Sequence, residues 1–180
     1  MTQTYTVRAH SRHSVYVDAI PGLEDTAVST TVTSTNAVPI VVERAMYWPG
    51  GFFDYYEGHS SAGSTATALE WVVSGGQNGG ADSARTFVLI ANTASTPGEA
   101  TLTVLPDRAL SSALPPIVVA LPANSRTTVP IIAVDGAFGV RVVSTGGTPV
   151  PLVVESAVYR SAGGVIWSAG SNALATPVVP

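Results

Sequence analysis

The chain reads as an all-β protein, and three observations lead there. Almost no segment places apolar residues at helical spacing over a useful length. Valine and threonine instead fill short apolar or alternating runs, separated by Gly, Pro, Asn and Asp at intervals of about 8 to 15 residues, the pattern of a sandwich or barrel. The third observation is a repeat: Pro39-Ile-Val-Val-Glu43-Arg-Ala-Met-Tyr47 returns as Pro151-Leu-Val-Val-Glu155-Ser-Ala-Val-Tyr159, identical at six of nine positions. The same spacing of 112 residues carries Tyr55 onto Trp167 and Gly58 onto Gly170. An internal duplication is therefore expected, with a partial copy over residues 1–66 and a complete one over 67–180.

In the first part, strands are expected near Tyr5–Arg8, Ser14–Val17, Ala27–Ser34 and Ile40–Trp48, with turns at Pro21-Gly22 and Thr35-Asn36. The stretch Phe52-Phe-Asp-Tyr-Tyr-Glu-Gly-His59 follows, with four aromatics and three ionisable groups in eight residues and no strand alternation. Ser60 to Ala68 is small and polar, a connector between modules. The second part opens with a strand at Glu70–Ser74 and a glycine-rich loop at 75–80. A strand at Arg85–Ala91 follows, apolar on both faces and so central in its sheet. Further strands are expected near Ala100–Leu105, Ile117–Leu121, Thr127–Ile132, Phe138–Ser144, Val150–Tyr159 and Val165–Ser168, which with the first two make about eight, enough for a complete sandwich. In each repeat at least one valine of the pairs Val41/Val42 and Val153/Val154 is expected to be buried.

A chain of 180 residues can bury one large or two small cores, and 46% apolar against 11% charged residues excludes disorder. With no cysteine, there is neither a disulfide framework nor a thiolate metal site. All eight basic residues are arginines, unclustered in a chain of net charge −4, which leaves nothing to neutralise a phosphate backbone, so nucleic acid is not an expected partner. No apolar run approaches the roughly 20 residues that span a bilayer, and residues 1–7 lack the basic and apolar segments of a signal peptide. Because Met1 falls within a repeat, an excised piece is expected, and the missing leader weighs little.

The run Val-Val-Glu-Arg-Ala-Met-Tyr-Trp, the later Gly58-His-Ser, Trp71 before its glycine-rich loop, and Phe87-Val-Leu-Ile-Ala-Asn92 together resemble a bacterial repeat module of unknown function. Such modules occur in large secreted or cell-surface proteins. The resemblance spans nearly the whole chain and implies an immunoglobulin-like antiparallel β-sandwich at an extracellular or cell-surface location, with no catalytic residues to carry over. The first copy departs from the pattern in lacking a counterpart of Trp71–Pro106.

Glu43 and Glu155 sit in apolar strands, and each copy holds an arginine in the frame Ala-x-Ser-Arg-x-x-Val, at Arg12 and Arg126. An Arg–Glu pair in each copy, Arg12 with Glu43 and Arg126 with Glu155, is the expected structural role, since an unpaired carboxylate against a sheet is costly. Two glutamates in separate repeats do not form the facing carboxylate pair of glycoside hydrolysis. Asp54, Glu57 and His59 match no metal-ligand spacing, and Asn78 with Asp82 lacks the ligand series of a calcium loop, so no metal or cofactor is expected. There is no Gly-x-Ser-x-Gly elbow, and without lysine there is no Gly-Lys phosphate loop, so no enzyme is indicated. Two functional classes stay open. One is a structural, spacer or assembly module that packs with neighbouring repeats or with itself. The other is a ligand-binding module, for a polysaccharide above all, using the aromatics Trp48, Phe52, Phe53, Tyr55 and Tyr56 of the loop 48–59.

Overall fold

A computed structural model describes residues 1–24, 26–49, 55–110, 112–163 and 165–179, of which 48, 49, 55, 56 and 162 are described by backbone alone. The chain divides into two compact units, Met1–Thr30 and Thr31–Pro180. The first holds a single 3₁₀ turn at Val17–Ala19 and a ring contact between Tyr5 and His13 at 5.1 Å. The second holds every strand. These are β1 (Glu43–Pro49), β2 (Tyr55–Ala62), β3 (Glu70–Asn78), β4 (Arg85–Asn92), β5 (Gly98–Pro106), β6 (Ile117–Leu121), β7 (Ser125–Ile131), β8 (Gly136–Thr145), β9 (Leu152–Ala162), β10 (Val165–Leu174) and β11 (Thr176–Pro177).

From β3 onward the chain is a two-sheet sandwich, all of its strand pairs antiparallel. One sheet runs β10-β9-β4-β7 and the other β11-β3-β8-β5-β6. The alternating residues of both sheets meet in one core: Trp71 and Val73, Val88 and Ile90, Leu102, Val140 and Val142, Leu152 and Val154 are all buried. β4 is central, flanked by β9 and β7, with Val88 and Ile90 buried on its inner face and Phe87, Leu89 and Ala91 half-buried on its outer face. The eight strands expected after residue 67 are all present. β3 differs in running on through the glycine-rich segment, by way of a register shift between Val73 and Gly76 that Gly75, at φ +78°, makes accessible. At Gly76 the ring of buried Phe138 on the paired strand lies 2.5 Å from where a Cβ would stand.

Buried polar side chains fasten the ends of the sandwich. The Asn78 amide donates to the carbonyls of Ile131 (2.5 Å) and Val134 (2.9 Å), while its oxygen accepts the Thr86 N–H at 2.9 Å. Both polar atoms of that side chain are thus bonded to backbone. Trp71 donates its indole N–H to the carbonyls of Ala68 and Leu152, tying the connector to the start of β9.

The first part of the chain departs from expectation. Residues 1–42 form no strand among those described, although segments near Tyr5, Ser14, Ala27 and Ile40 carry strand composition. Strand propensity expresses packing against neighbours more than a backbone preference, and none of the described residues 1–42 is buried. Val41 is 98% exposed and Val42 40% exposed, against the expected burial, whereas Val154 is fully buried. The cause is pairing: β2 ends at Ala62 opposite Glu43, so nothing continues the ladder beside residues 40–42. β1 and β2 lie in the same compact unit as the sandwich strands, and β2 packs against β10.

Candidate functional site

β1 and β2 form a two-stranded hairpin outside both sheets, and its register repeats that of β9 and β10. Glu43 pairs with Ala62, Ala45 with Ser60 and Tyr47 with Gly58. In the second hairpin, 112 residues on, Glu155 pairs with Leu174, Ala157 with Asn172 and Tyr159 with Gly170. Alternation then gives the first hairpin two faces. Arg44 and Met46, with His59 and Ser61 opposite them, lie on one and are half-buried; Glu43, Ala45 and Tyr47 lie on the other and are exposed.

The half-buried face meets the outer face of β9 and β10, the side of that sheet away from the core. Arg44 Nη2 stands 3.4 Å from Glu155 Oε2. Asn172 of β10 is among the groups that act on His59. Burial, and next the Arg44 guanidinium, hold the His59 imidazole below its ordinary value, opposed by Glu155, Asn172 and Glu57. Arg126 enters from β7, on the same outer face. Burial lowers its value, the Arg44 charge adds to this, and Glu155 and Tyr159 act the other way. Burial raises the Tyr159 phenol, opposed by Arg44 and Arg126. The result is a compact polar cluster in which one carboxylate answers two guanidiniums and the imidazole is held neutral.

Of the residues singled out in the sequence, Glu155 and Arg126 come into one electrostatic cluster, and the side chain at ion-pair distance from Glu155 is Arg44. Ala91 of β4 lies between Arg126 and Val153 in the ladder, and Leu89 pairs with Glu155. Arg126 therefore starts two strand spacings away, roughly 10 Å, while Arg44 descends from the hairpin. Arg12 is exposed in the first compact unit and Glu43 is exposed at the start of β1. Phe52, Phe53 and Asp54 lie outside the described residues; Trp48 falls in β1 and Tyr55 and Tyr56 in β2, with backbone alone described. Arg44, Tyr159 and Asn172 were not among the candidate site residues, and His59 was weighed only as a metal ligand. One signal was present for Arg44: within the repeated nonamer it is where the copies change charge, Ser156 standing in its place.

A second group lies on the same sheet. Trp167, the counterpart of Tyr55, stacks on Tyr159 at 5.2 Å and meets Phe87 edge-on at 6.4 Å. It is 45% exposed and sits at φ +55° within the register shift of β10, a rare backbone state for a bulky residue. Beside it Arg160 donates to Gln77 Oε1 at 2.7 Å and lies 3.9 Å from Asp82.

No group of three or more His, Asp or Glu among the described residues is arranged to hold a metal ion. No described helix is long and apolar enough to cross a membrane. No protein-family model and no curated protein matches the chain. Among solved structures, one described as the crystal structure of Thermotoga maritima 1070 is similar at a TM-score of 0.48 and 13% identity, covering 62% of this chain and 95% of that one. A likeness at that level carries no argument about function.

Proposed function

We propose that this chain is a non-enzymatic structural or assembly module of a secreted or cell-surface protein, an immunoglobulin-like sandwich preceded by a partial copy of itself. The observation that carries the reading is the pair of hairpins with one register, the first seated on the second through Arg44 and Glu155. A unit whose own segment packs on its repeat is built for serial packing, in which each repeat rests on its neighbour. The polar groups of the interface hold two elements together, and none is arranged as nucleophile with base. A polysaccharide array and a panel of hydrolase substrates test the reading: no binding and no turnover are expected, and saturable binding to any glycan would overturn it.

One observation favours a second reading, a carbohydrate-binding module. Trp167 is solvent-exposed, held in a strained backbone state and braced by Tyr159 and Phe87, as a sugar-stacking platform requires. On this reading Trp167→Ala abolishes array binding while leaving the melting temperature within a few degrees. Loss of binding only in a Tyr55→Ala/Tyr56→Ala variant would move the platform to the first hairpin.

A further inference from the structure

The two hairpins present the same outward face in opposite circumstances. On β9 it is Val153, Glu155, Ala157 and Tyr159; on β1 it is Glu43, Ala45 and Tyr47, with Val41 just ahead of the strand, identical in type at all four positions. The β9 face is covered: Ala157 is 4% exposed, and the other three are half-buried. Arg44 of the first hairpin stands at Glu155 and its charge is felt at Tyr159, which also packs against Phe87 and Trp167. On β1 the corresponding Glu43 and Ala45 are exposed and Tyr47 is 62% exposed, with Val41 ahead of the strand at 98%. Across the hairpin the match continues, Gly58 lying opposite Tyr47 as Gly170 lies opposite Tyr159.

From this we infer that the outward face of β1–β2 is a docking site for an arginine-bearing β-hairpin of the β1–β2 kind from another copy of this repeat, with its arginine on Glu43 as Arg44 is on Glu155. Charge complementarity supports it: Glu155, at the place on β9 that Glu43 holds on β1, already receives Arg44, with Ser60 and Ala62 standing on β2 where β10 has Asn172 and Leu174. The contact is heterologous, back of one hairpin to front of the next, so it propagates without closing. Each hairpin of this kind carries both halves, the Arg44 face that docks and the Glu43 face that receives. In a single copy the docking half is engaged by Glu155, which leaves only the receiving half on offer. This inference rests on the assembly reading above and gives it a specific surface.

The test frees the docking half. Glu155→Arg places a positive charge against Arg44 and releases the hairpin from its own sandwich, which faster hydrogen exchange of the β1–β2 amides reports. The released chain carries both halves and is expected to self-associate with concentration in sedimentation velocity, while the parent chain stays monomeric. Adding Glu43→Arg is expected to return Glu155→Arg to a monomer. Should the charge reversal impair folding of the sandwich, Glu155→Gln makes the same comparison with a smaller perturbation. A released hairpin with no association overturns the inference. So does association that survives Glu43→Arg, and so does a hairpin whose exchange is unchanged when Glu155 is replaced, since the ion pair would then not be what seats it. The glycan array reads the functional proposal independently, so a negative result here with no glycan binding leaves the structural reading standing.

Discussion

Val42 and Val154 hold the same place in two nearly identical stretches of sequence, yet a charge introduced at each meets opposite surroundings. Val154 is fully buried between the sheets, and Val42 is 40% exposed ahead of β1. Val154→Asp puts an unpaired carboxylate into the core and is expected to cost several kcal/mol, about 3 to 5. Val42→Asp should stay within about 0.5 kcal/mol of the parent. Urea unfolding of the two variants measures both, and equal losses would mean that residues 40–42 are packed. Local sequence could not separate these valines, because burial at Val154 comes from β4 beside it and from the facing sheet, neither of which residues 39–47 encode. The placement of Glu155 against a cation was legible for the same local reason that a carboxylate in an apolar strand needs a partner. The identity of that partner was not, since Arg44 reaches it only once the hairpin folds back.

At the level of elements, the hairpin is held by groups that titrate. His59 sits below its ordinary value, so between that depressed value and about 6.5 the unfolded chain binds more protons than the folded one. The stability it lends is complete above about pH 6.5 and is lost as pH falls from there through the depressed value. Protonation adds a third cation to the cluster of Arg44 and Arg126, in which Glu155 and, more weakly, Glu57 are the described carboxylates that act on His59. Hydrogen exchange corrected for intrinsic rates should therefore show β1–β2 amides losing protection in that window while β4 and β8 amides keep theirs. His59→Gln should remove the difference. The Glu70–Arg141 pair on β3 and β8 responds lower on the pH scale: the Arg141 hydrogen bonds, at 2.7 and 2.9 Å, hold the Glu70 carboxyl below its ordinary value, and its contribution fades only as the carboxylate itself protonates. The strands of the sandwich were largely readable from alternation and turn residues. Those expected before residue 43 were not realised, because strand composition without a partner to complete the ladder specifies nothing.

For the whole molecule, stability is lodged after residue 67. None of the described residues 1–66 is buried, and a lone two-stranded hairpin is marginal in water. Residues 67–180 are expected to fold alone with well-dispersed amide resonances, and residues 1–66 to remain unfolded once separated. A cooperative melt of 1–66 would contradict this. The sandwich also carries its own optical gauge. Trp71 is wholly enclosed, with its indole N–H committed to two carbonyls, whereas Trp167 is 45% exposed. An enclosed indole emits toward the blue and escapes collisional quenchers, while an exposed one emits toward the red and is quenched. In residues 67–180, which hold Trp71 and Trp167 but not Trp48, iodide should therefore silence the long-wavelength part of the emission and spare a blue remainder, and that remainder should shift only when the two sheets part.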